Sequence, residues 1–445
     1  MQVKRTHRRP SLVVATGGRG VVAHAGARLL CDLADDLGLT MGLSAAMAPT
    51  KKRRRGHDRG AVLVDLAVAL ADGATAISDL RVLRNQPALF GLVASVPTAW
   101  RTLEAIDDAA LERIASARAA ARRRAWAAGM DPGYYVIDID GTLVTAGSDK
   151  ERAAPTYKHG FGFYPLMAYL DDGEPLAALL RPGNAGSGTA ADHITVLDAA
   201  LFQLPVDPKT TEVIVRTDSA GLSHDFLEAC RERGCRFVTG HPLTAELARV
   251  IVNAPPSRWT AAISADGQDE REGAEVAEVT GLVDLSGWPE GTRLIARREE
   301  PHPGAQLTFS DVDGRRYQLF LTDHPEQDVP FLEALYRGRG RCECAIRDAK
   351  DTGLANLPSA EFAINQAWLV LVLLAGDLLA WTKGLLLAGE LASAEPKRLR
   401  FALLHAAGLI VRSARRVVLR IAAGWPWADA LVAAFGRLPS WSLVT

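Results

Sequence analysis

The sequence predicts an α/β protein, with a mixed β-sheet core that a β-rich insertion interrupts and with helical regions before and after it. Three observations support this fold class. Apolar residues recur at helical spacing through residues 16–130, β-branched and aromatic runs begin at Tyr134, and helical spacing returns from Pro330. At 445 residues the chain is long enough for roughly two to four domains of about 100–200 residues each.

The composition is ordinary for a soluble protein, with 48% hydrophobic and 23% charged residues. The net charge of −1 indicates no particular partner, but its distribution is uneven. Residues 1–130 hold 20 Lys and Arg against 11 Asp and Glu, which suggests a region that meets phosphate, although a solvated surface is the ordinary explanation of any single basic cluster. The candidate phosphate-binding residues of this region are Lys51, Lys52, Arg53, Arg54, Arg55 and Arg101.

The N-terminal region is predicted to be helical. Its helices are expected at residues 29–37, 61–71, 97–106 and 115–128. The last of these is rich in Ala and Arg and carries Arg118, Arg122, Arg123 and Arg124. Short helices with arginines at their ends are compatible with a helix-turn-helix-like DNA reader, although any small helical bundle shows the same pattern.

The cysteines indicate the compartment. There are five, an odd number, and no apolar secretory signal follows the basic N-terminus. We therefore expect reduced thiols and a cytoplasmic, nucleoid-associated protein. Cys342-x-Cys344 has the spacing of half a zinc site, but no second Cys or His pair completes it.

One apolar segment raises the question of a membrane. Residues 367–389 are apolar over a length that can span a bilayer. Asp377 lies in the middle of the segment and Lys383 follows it, and a charge in mid-span is unfavourable in lipid. We therefore predict a buried helix in a soluble core, and no membrane partner.

The order of elements after Tyr134 predicts the topology of the core. In chain order we expect strands at 134–140, 164–170 and 175–180, a helix at 190–204, a strand at 213–217, a helix at 224–233 and a strand at 236–239. Three antiparallel strands followed by alternating helix and strand is the order of an RNase H-like core, and it differs from that of a doubly wound nucleotide-binding sheet.

Residues 259–322 break this pattern, since short strands alternate there with turn residues and no helix is predicted. Helices are expected again at 332–350, 359–387 and 398–422. We therefore divide the chain into a helical DNA-binding domain (1–130), the first part of the core (131–253), a β-strand insertion (254–328), a core helix with a catalytic Glu (329–390) and a helical C-terminal region (391–445).

Two acidic residues stand at the ends of core strands. Asp140 ends the first strand and Asp218 directly follows the fourth. Taken singly, each is more often a loop or helix-cap residue, but an RNase H-like sheet makes these strands neighbours. Two carboxylates side by side need a shared cation, and Mg²⁺ takes such oxygen ligands together with phosphate. Glu343, on a helix behind the sheet, is the candidate for the third carboxylate of a two-metal site.

The residues around Glu343 have a regular spacing. In YRGRGRCECAIRDAK, Tyr336, Arg339, Glu343 and Lys350 follow the pattern Y-x2-R-x3-E-x6-K. The blocks DIDGT and RTDSAG hold Asp140 and Asp218. With the long β-rich insertion between the second Asp and the Glu, these features resemble a large group of bacterial insertion-sequence transposases of the DDE type, over nearly the whole chain.

The resemblance implies a catalytic, metal-binding triad of Asp140, Asp218 and Glu343 with two Mg²⁺ or Mn²⁺ ions. It implies that water cuts the DNA at the transposon end, and that the freed 3′-OH attacks through a hairpin intermediate before strand transfer. Double-stranded DNA, as transposon ends and target, would be the partner, and a homodimer would hold both ends. Tyr336 and the basic pair Arg339 and Lys350 would contact phosphates near the cut, on one helix face with Glu343.

Hairpin-forming members of that group stack a flipped base on an aromatic residue of the insertion, and Trp259 and Trp288 are the candidates here. Core packing is the common alternative for each tryptophan. Asp138 is expected to support the sheet or to orient a ligand, outside the triad.

Two other functions remain open. The DIDGT block also matches the nucleophile motif of haloacid-dehalogenase-type phosphatases, with Asp138 as nucleophile and Asp140 as acid and base. That class needs a Lys later in the chain, and none occurs between Lys209 and Lys350. An inactive DNA-binding remnant of a transposase is the other alternative, against which the complete triad argues.

Overall fold

The computed structural model describes residues 17–51, 56–186, 189–264, 267–301, 304, 311–412 and 416–438. Lys52, Arg53, Arg54 and Arg55, four of the candidate phosphate-binding residues, lie outside these ranges, as do residues 305–310 of the segment predicted to be rich in short strands. In the described part of the chain, helices pack around one large mixed sheet, and two small sheets lie apart from it.

The N-terminal region is helical, as predicted. It contains the short strand β1 (Val21–Val22) and the helices α1 (Ala27–Asp36), α2 (Leu39–Met47), α3 (Arg59–Ala71), α4 (Arg81–Arg84), α5 (Pro87–Phe90), α6 (Val96–Leu103) and α7 (Asp108–Ala125). Asp58 and Asp107 cap α3 and α7, because each side chain accepts a hydrogen bond from a backbone N–H of the first turn.

The core follows with three antiparallel strands and then alternating helix and strand. Its elements are β2 (Tyr135–Gly141), β3 (Val144–Thr145), β4 (Ala154–Pro155), β5 (Phe161–Phe163), β6 (Leu166–Leu170), β7 (Pro175–Leu179), α8 (Ala190–Gln203), β8 (Val213–Thr217), α9 (His224–Glu232), β9 (Arg236–His241) and α10 (Ala245–Val252). The order across the sheet is β9-β8-β2-β6-β7, with β2, β8 and β9 parallel and β6 antiparallel to both of its neighbours. This is the predicted succession, while β3, β5 and β4 form a small separate sheet.

The residues predicted as an insertion extend this sheet. Their strands are β10 (Thr260–Ile263), β11 (Glu270–Glu278), β12 (Arg293–Glu299), β13 (Asp311–Val312) and β14 (Arg315–Thr322). β14 pairs antiparallel with β9, so that Leu321 lies opposite Thr239 and the large sheet has ten strands. The strands of the β-rich segment are therefore hydrogen-bonded to the core sheet as part of the same sheet.

Alternation along β2 separates the two faces of the core sheet. Ile137 and Ile139 pack in a cluster with α8 and α9, whereas Val136 packs with Leu332 and Leu335 from the helix that follows the insertion. Residues two apart share a face, so Asp138 and Asp140 lie on the same side as that helix.

The last part of the chain departs from the prediction. Its elements are α11 (Val329–Arg337), α12 (Gly340–Ala349), α13 (Phe362–Trp381), α14 (Pro396–Leu399), β15 (Gly408–Arg412), β16 (Val417–Ile421) and α15 (Ala428–Gly436). The helix predicted at 398–422, and with it a wholly helical C-terminal region, is wrong. β15 and β16 form a hairpin whose β-branched residues pair with β1 near the other end of the chain, a partner that local periodicity does not reveal.

The apolar segment around Asp377 is a core helix. Phe362–Leu386 is long and apolar enough to cross a membrane, but 67% of its most apolar window is buried inside the protein. The buried carboxylate of Asp377 accepts hydrogen bonds from Arg118 Nε and Arg122 Nη2, each at 2.7 Å. These two arginines of α7 are therefore buried in the core and are not part of a DNA-contacting surface.

Candidate active site

Asp140 and Asp218 lie next to one another at the carboxyl ends of parallel strands. Ile139 of β2 is in register with Thr217 of β8, and the next residue of each segment is one of the two aspartates. Both lie on the side of the sheet that faces α11 and α12. The sequence therefore placed these two residues correctly relative to one another.

Local backbone contacts fix the two carboxylates. Asp218 caps the short 3₁₀ turn Ser219–Gly221, and its Oδ1 accepts a hydrogen bond from Ala220 N at 2.8 Å. Asp140 Oδ1 accepts one from Gly141 N at 2.7 Å. Burial raises the pKa of Asp140, Arg339 opposes that shift, and the nearby charge of Asp218 adds to it.

Arg339 connects Asp140 to Glu343. Its Nη1 donates to Asp140 Oδ2 at 3.0 Å and its Nη2 donates to Glu343 Oε1 at 3.2 Å. Burial disfavours the charge on Arg339, but the carboxylates of Asp140 and Asp218 outweigh it and raise the pKa of the guanidinium. All three acidic residues therefore interact with the positive charge of Arg339.

Glu343 lies in the first turn of α12, where the sequence predicted the middle of a longer helix. The helix is interrupted because Gly338 and Gly340 flank Arg339, and glycine weakens a helix. The Glu343 side chain is 65% exposed, which leaves it free to reorient.

Tyr336, at the end of α11, packs against the same edge of the sheet. Its ring stacks on Phe320, with centroids 4.7 Å apart. A Cβ atom on residue 240 would lie 2.5 Å from the Tyr336 hydroxyl oxygen and 2.9 Å from the backbone N of Ser219. Only glycine at position 240 therefore permits this close approach of Tyr336 to the loop that carries Asp218.

Lys350, the last residue of the predicted pattern, is half-buried at the end of α12. Burial lowers the pKa of its ammonium group, and the charge of Lys158 lowers it further. Lys158 lies in the loop between β4 and β5. The structure thus places Tyr336 and Arg339 beside the aspartates, and Lys350 beside a second lysine.

A buried ion pair supports the site, and the sequence did not reveal it. Arg216 of β8 donates to both carboxylate oxygens of Asp138, at 2.7 and 2.6 Å, and to the Leu335 carbonyl at 2.6 Å. Both charged side chains are 1% exposed. The pair ties β2 and β8 to α11, and the spacing of two residues between Arg216 and Asp218 is the signal that they share a face.

A family described as transposase DDE domain group 1 matches residues 4–443. The chain belongs to this DDE transposase family. A cryo-EM structure of the piggyBac transposase synaptic complex with hairpin DNA is similar at a TM-score of 0.39 and 10% identity, covering 85% of this chain and 80% of that chain. No curated protein matches the sequence.

Asp138 of this transposase family member is unsuited to the role of a phosphatase nucleophile. Its two carboxylate oxygens are both engaged by Arg216 inside the protein, and an attacking carboxylate needs access to a phosphate. The observation disfavours the phosphatase alternative and agrees with a supporting role for Asp138.

A second residue missed in the sequence is Tyr164. Its hydroxyl lies 2.7 Å from the position of a Cβ on Gly141, directly after Asp140. Burial raises the pKa of Tyr164 to about 12, with contributions from Tyr157 and from the acidic pair Asp140 and Asp218. A phenol that stays protonated therefore lines the transposase site.

The two candidate tryptophans have different environments. Trp259 is buried, meets Tyr317 edge-on and lies under the Arg298 guanidinium at 4.0 Å, so that it is part of the core. Trp288 is only partly buried and meets His241, whose strand β9 ends at the same edge of the sheet as Asp218. Of the two, Trp288 is the one that remains available to a substrate.

Lys51 and Arg101, the two candidate phosphate-binding residues that the structure describes in the N-terminal region, make local contacts. Lys51 Nζ reaches the carbonyls of residues 56 and 57, at 3.5 and 3.1 Å. The exposed Arg101 bonds back to the Pro97 carbonyl at 3.0 Å. Neither is paired with a carboxylate by these bonds, so both charges remain available to an anion.

The cysteine pair on α12 does not form a metal site with its two thiols together. Cys342 is buried, whereas Cys344 is exposed beside a cavity that Arg341, Asp348 and Lys383 also line. That cavity contains none of the three acidic site residues.

The donor set of the site suits a hard divalent ion. Asp140, Asp218 and Glu343 offer oxygen ligands alone, and the guanidinium of Arg339 takes the place of a cation between two of them. The exposed Glu343 carboxylate pairs with Arg339, so an ion bound by the three carboxylates would compete with this arginine for Glu343.

Proposed function

We propose that the chain is a transposase that binds the terminal inverted repeats of an insertion sequence, cuts the DNA at those ends and joins the 3′-OH to target DNA. The single observation that carries this proposal is the position of Asp140 and Asp218 on adjacent strand ends, with Arg339 linking Asp140 to Glu343. Membership of the DDE transposase family supports the same reaction class.

The fold we propose for the core is RNase H-like. The strand order β9-β8-β2-β6-β7 with helices between the parallel strands supports it. The domain division proposed from the sequence goes with this fold, with the change that the strands of 254–328 continue the core sheet.

Asp140, Asp218 and Glu343 would hold two divalent ions, Mg²⁺ or Mn²⁺. When bound, such ions supply an activated water and neutralise charge on the phosphate that is attacked. The chain itself keeps the acidic residues poised: burial and the charge of Asp218 raise the pKa of Asp140, and Arg339 offsets their repulsion. Two carboxylates held this close repel one another, and a shared cation would remove that repulsion.

Arg339, Tyr336 and Lys350 would position the DNA strand. The Arg339 guanidinium has the fork geometry that fits two phosphate oxygens, and it is hydrogen-bonded to Asp140 in the acidic site. The ammonium groups of Lys350 and Lys158 repel one another, so an incoming phosphate would relieve that repulsion. Tyr336 holds its place by stacking on Phe320.

The hairpin intermediate rests on the resemblance to the insertion-sequence group, with Trp288 as the side chain that would receive an extruded base. Its partial exposure and its contact with His241 support this choice over Trp259. The basic residues Lys51, Lys52, Arg53, Arg54, Arg55 and Arg101 would bind the ends, and a cytoplasmic, nucleoid-associated homodimer would hold both ends together.

The test is an end-cleavage assay with purified protein, Mg²⁺ and a duplex that spans one element end. We expect a break at the end, a hairpin product on a denaturing gel and joined product in a target plasmid. Glu343→Gln should abolish all three while end binding persists, and Glu390→Gln, an exposed glutamate outside the site, should leave them intact. Binding without cleavage by the unaltered protein would instead indicate an inactive remnant.

A further inference from the structure

Two histidines and an aspartate from distant parts of the chain meet outside the acidic site. His24 precedes α1, Asp72 follows α3, and His405 follows the turn after α14. One ligand atom from each lies within 4.8 Å of those of the other two. His24 Nδ1 is 2.6 Å from Asp72 Oδ2, and His405 Nε2 is 3.4 Å from Asp72 Oδ1.

We propose that His24, Asp72 and His405 bind a divalent transition-metal ion, with Zn²⁺ as the matching probe. Two imidazoles and one carboxylate are a recurrent three-residue ligand set for zinc and similar metals, and they leave a further position open. The site is independent of the acidic triad in residues, in position along the chain and in ligand chemistry.

The aspartate supplies a second, independent observation. Asp72 is 7% exposed, and its enclosed Oδ1 has only the long contact with His405 Nε2 at 3.4 Å and no hydrogen bond of normal geometry. A buried carboxylate oxygen without a partner costs free energy, which a cation at this point would recover. Because Oδ1 faces His405, the unsatisfied atom points into the cluster.

Solvent access fits an ion that keeps a water ligand. The His24 and His405 side chains are 26% and 42% exposed, whereas that of Asp72 is 4% exposed. The two imidazole rings lie 4.4 Å apart between centroids. An ion between the rings and the carboxylate would thus have protein on one side and water on the other.

Three features oppose binding and limit affinity. His405 Nε2 lies 2.9 Å from the Asp72 backbone carbonyl oxygen and must give up this hydrogen bond to bind an ion. The short contact between His24 Nδ1 and Asp72 holds a proton in the metal-free protein, so metal uptake must release protons from the imidazoles. Arg400 is a charge partner of Asp72 and donates to the Ala71 carbonyl at 2.9 Å.

The position of the cluster gives the ion a structural consequence. Ala25 N donates to the Ala406 carbonyl at 2.9 Å, and Val21 lies opposite Leu409 in the pairing of β1 with β15. A metal on His24 and His405 would fasten the same two chain segments side by side. Binding to the folded state alone should raise the melting temperature.

The experiment is zinc titration of the full chain after chelator treatment, with excess Mg²⁺ to occupy the acidic triad. A chromophoric zinc indicator reports stoichiometry and affinity, and Co²⁺ substitution reports nitrogen and oxygen ligands by visible absorption. We expect one zinc per chain and a higher melting temperature. His24→Gln and His405→Gln should each weaken binding by roughly tenfold or more, and His57→Gln, an exposed histidine, should not.

Two results would overturn the proposal. One is that the unaltered protein binds no zinc under these conditions. That result overturns the proposal even if acidification alone raises the melting temperature of the protein. The other is a His24→Gln or His405→Gln variant that folds by circular dichroism and still binds zinc as tightly as the unaltered chain. The Co²⁺ spectrum of the unaltered protein decides the matter if both variants fail to fold.

Discussion

The Arg339 guanidinium lies 3.0 Å from the carboxylate of Asp140 and is held there by charges on both sides of it. An arginine in this place stabilises acidic residues that would otherwise repel one another. It also gives the site a state in which the carboxylates are paired before any cation or DNA arrives.

Replacing this arginine should make the protein depend on metal. We expect Arg339→Ala to lower the stability of the metal-free protein by on the order of 1–3 kcal/mol, because Asp140 loses its charged partner. Mg²⁺ should then raise the melting temperature of the variant more than that of the unaltered protein. Arg341→Ala, whose side chain binds Asp171, is the control. Equal Mg²⁺-induced shifts in all three proteins would contradict this role for Arg339.

Gly240 is expected to be essential for the geometry of the site. In Gly240→Ala the new methyl group would meet the Tyr336 hydroxyl at 2.5 Å and the Ser219 backbone N at 2.9 Å, so that the loop with Asp218 must shift. We expect DNA cleavage to fall by roughly 100-fold. Gly287→Ala, where a Cβ meets nothing within 4 Å, should cleave normally. Full activity of Gly240→Ala would show that the Tyr336 contact is dispensable.

The buried pair of Arg216 and Asp138 should be costly to break from one side. Arg216→Met leaves a carboxylate buried without its partner, and we expect a loss of about 3–5 kcal/mol in the free energy of unfolding. The double variant Arg216→Met with Asp138→Leu should recover much of that loss, because no fully buried charge is left without a partner: Asp171, the other partner of Arg216, is 29% exposed and is also paired with Arg341. Urea denaturation of both variants measures the difference. A double variant as unstable as the single one would mean that the pair does more than compensate charge.

Asp65 gives a pH dependence of stability. Burial and the charge of Asp35 raise the pKa of Asp65 from 3.8 to about 7 in the folded protein. The folded state therefore holds this proton more tightly than the unfolded state, and the associated stability is lost as pH rises from about 4 through 7. Asp65→Asn should stabilise the protein at pH 8, by on the order of 1–4 kcal/mol, and have little effect near pH 4. Glu112→Gln, at an exposed helix position, should show no such pH dependence in chemical denaturation.

The sequence predicted that Asp140 and Asp218 lie side by side because their positions follow from local patterns. A strand that ends in Asp140, a second that precedes Asp218 and the spacing around Glu343 each lie within a few neighbouring residues. The strand order then followed from the succession of elements. These features required no knowledge of distant contacts.

What the sequence did not reveal depends on pairs far apart in the chain. Arg118 and Arg122 resemble surface arginines until Asp377 is placed beside them in the core. The segment of the β15–β16 hairpin was predicted as a helix because its pairing with β1, near the other end of the chain, is not visible in the local sequence. Arg339 was predicted as a phosphate contact, but its partners in the absence of DNA are Asp140 and Glu343. Charge pairing and strand partners are set by tertiary structure.

The most direct test of the acidic site is single-turnover cleavage of an end duplex by Asp218→Ala in Mg²⁺. The variant removes one carboxylate at the strand end and leaves the basic N-terminal region unchanged. Asp225→Ala, 83% exposed on α9, is the matched control. The account predicts that Asp218→Ala binds the end duplex with unaltered affinity but yields no cleaved strand, while Asp225→Ala cleaves normally. Cleavage by Asp218→Ala at the rate of the unaltered protein would contradict it.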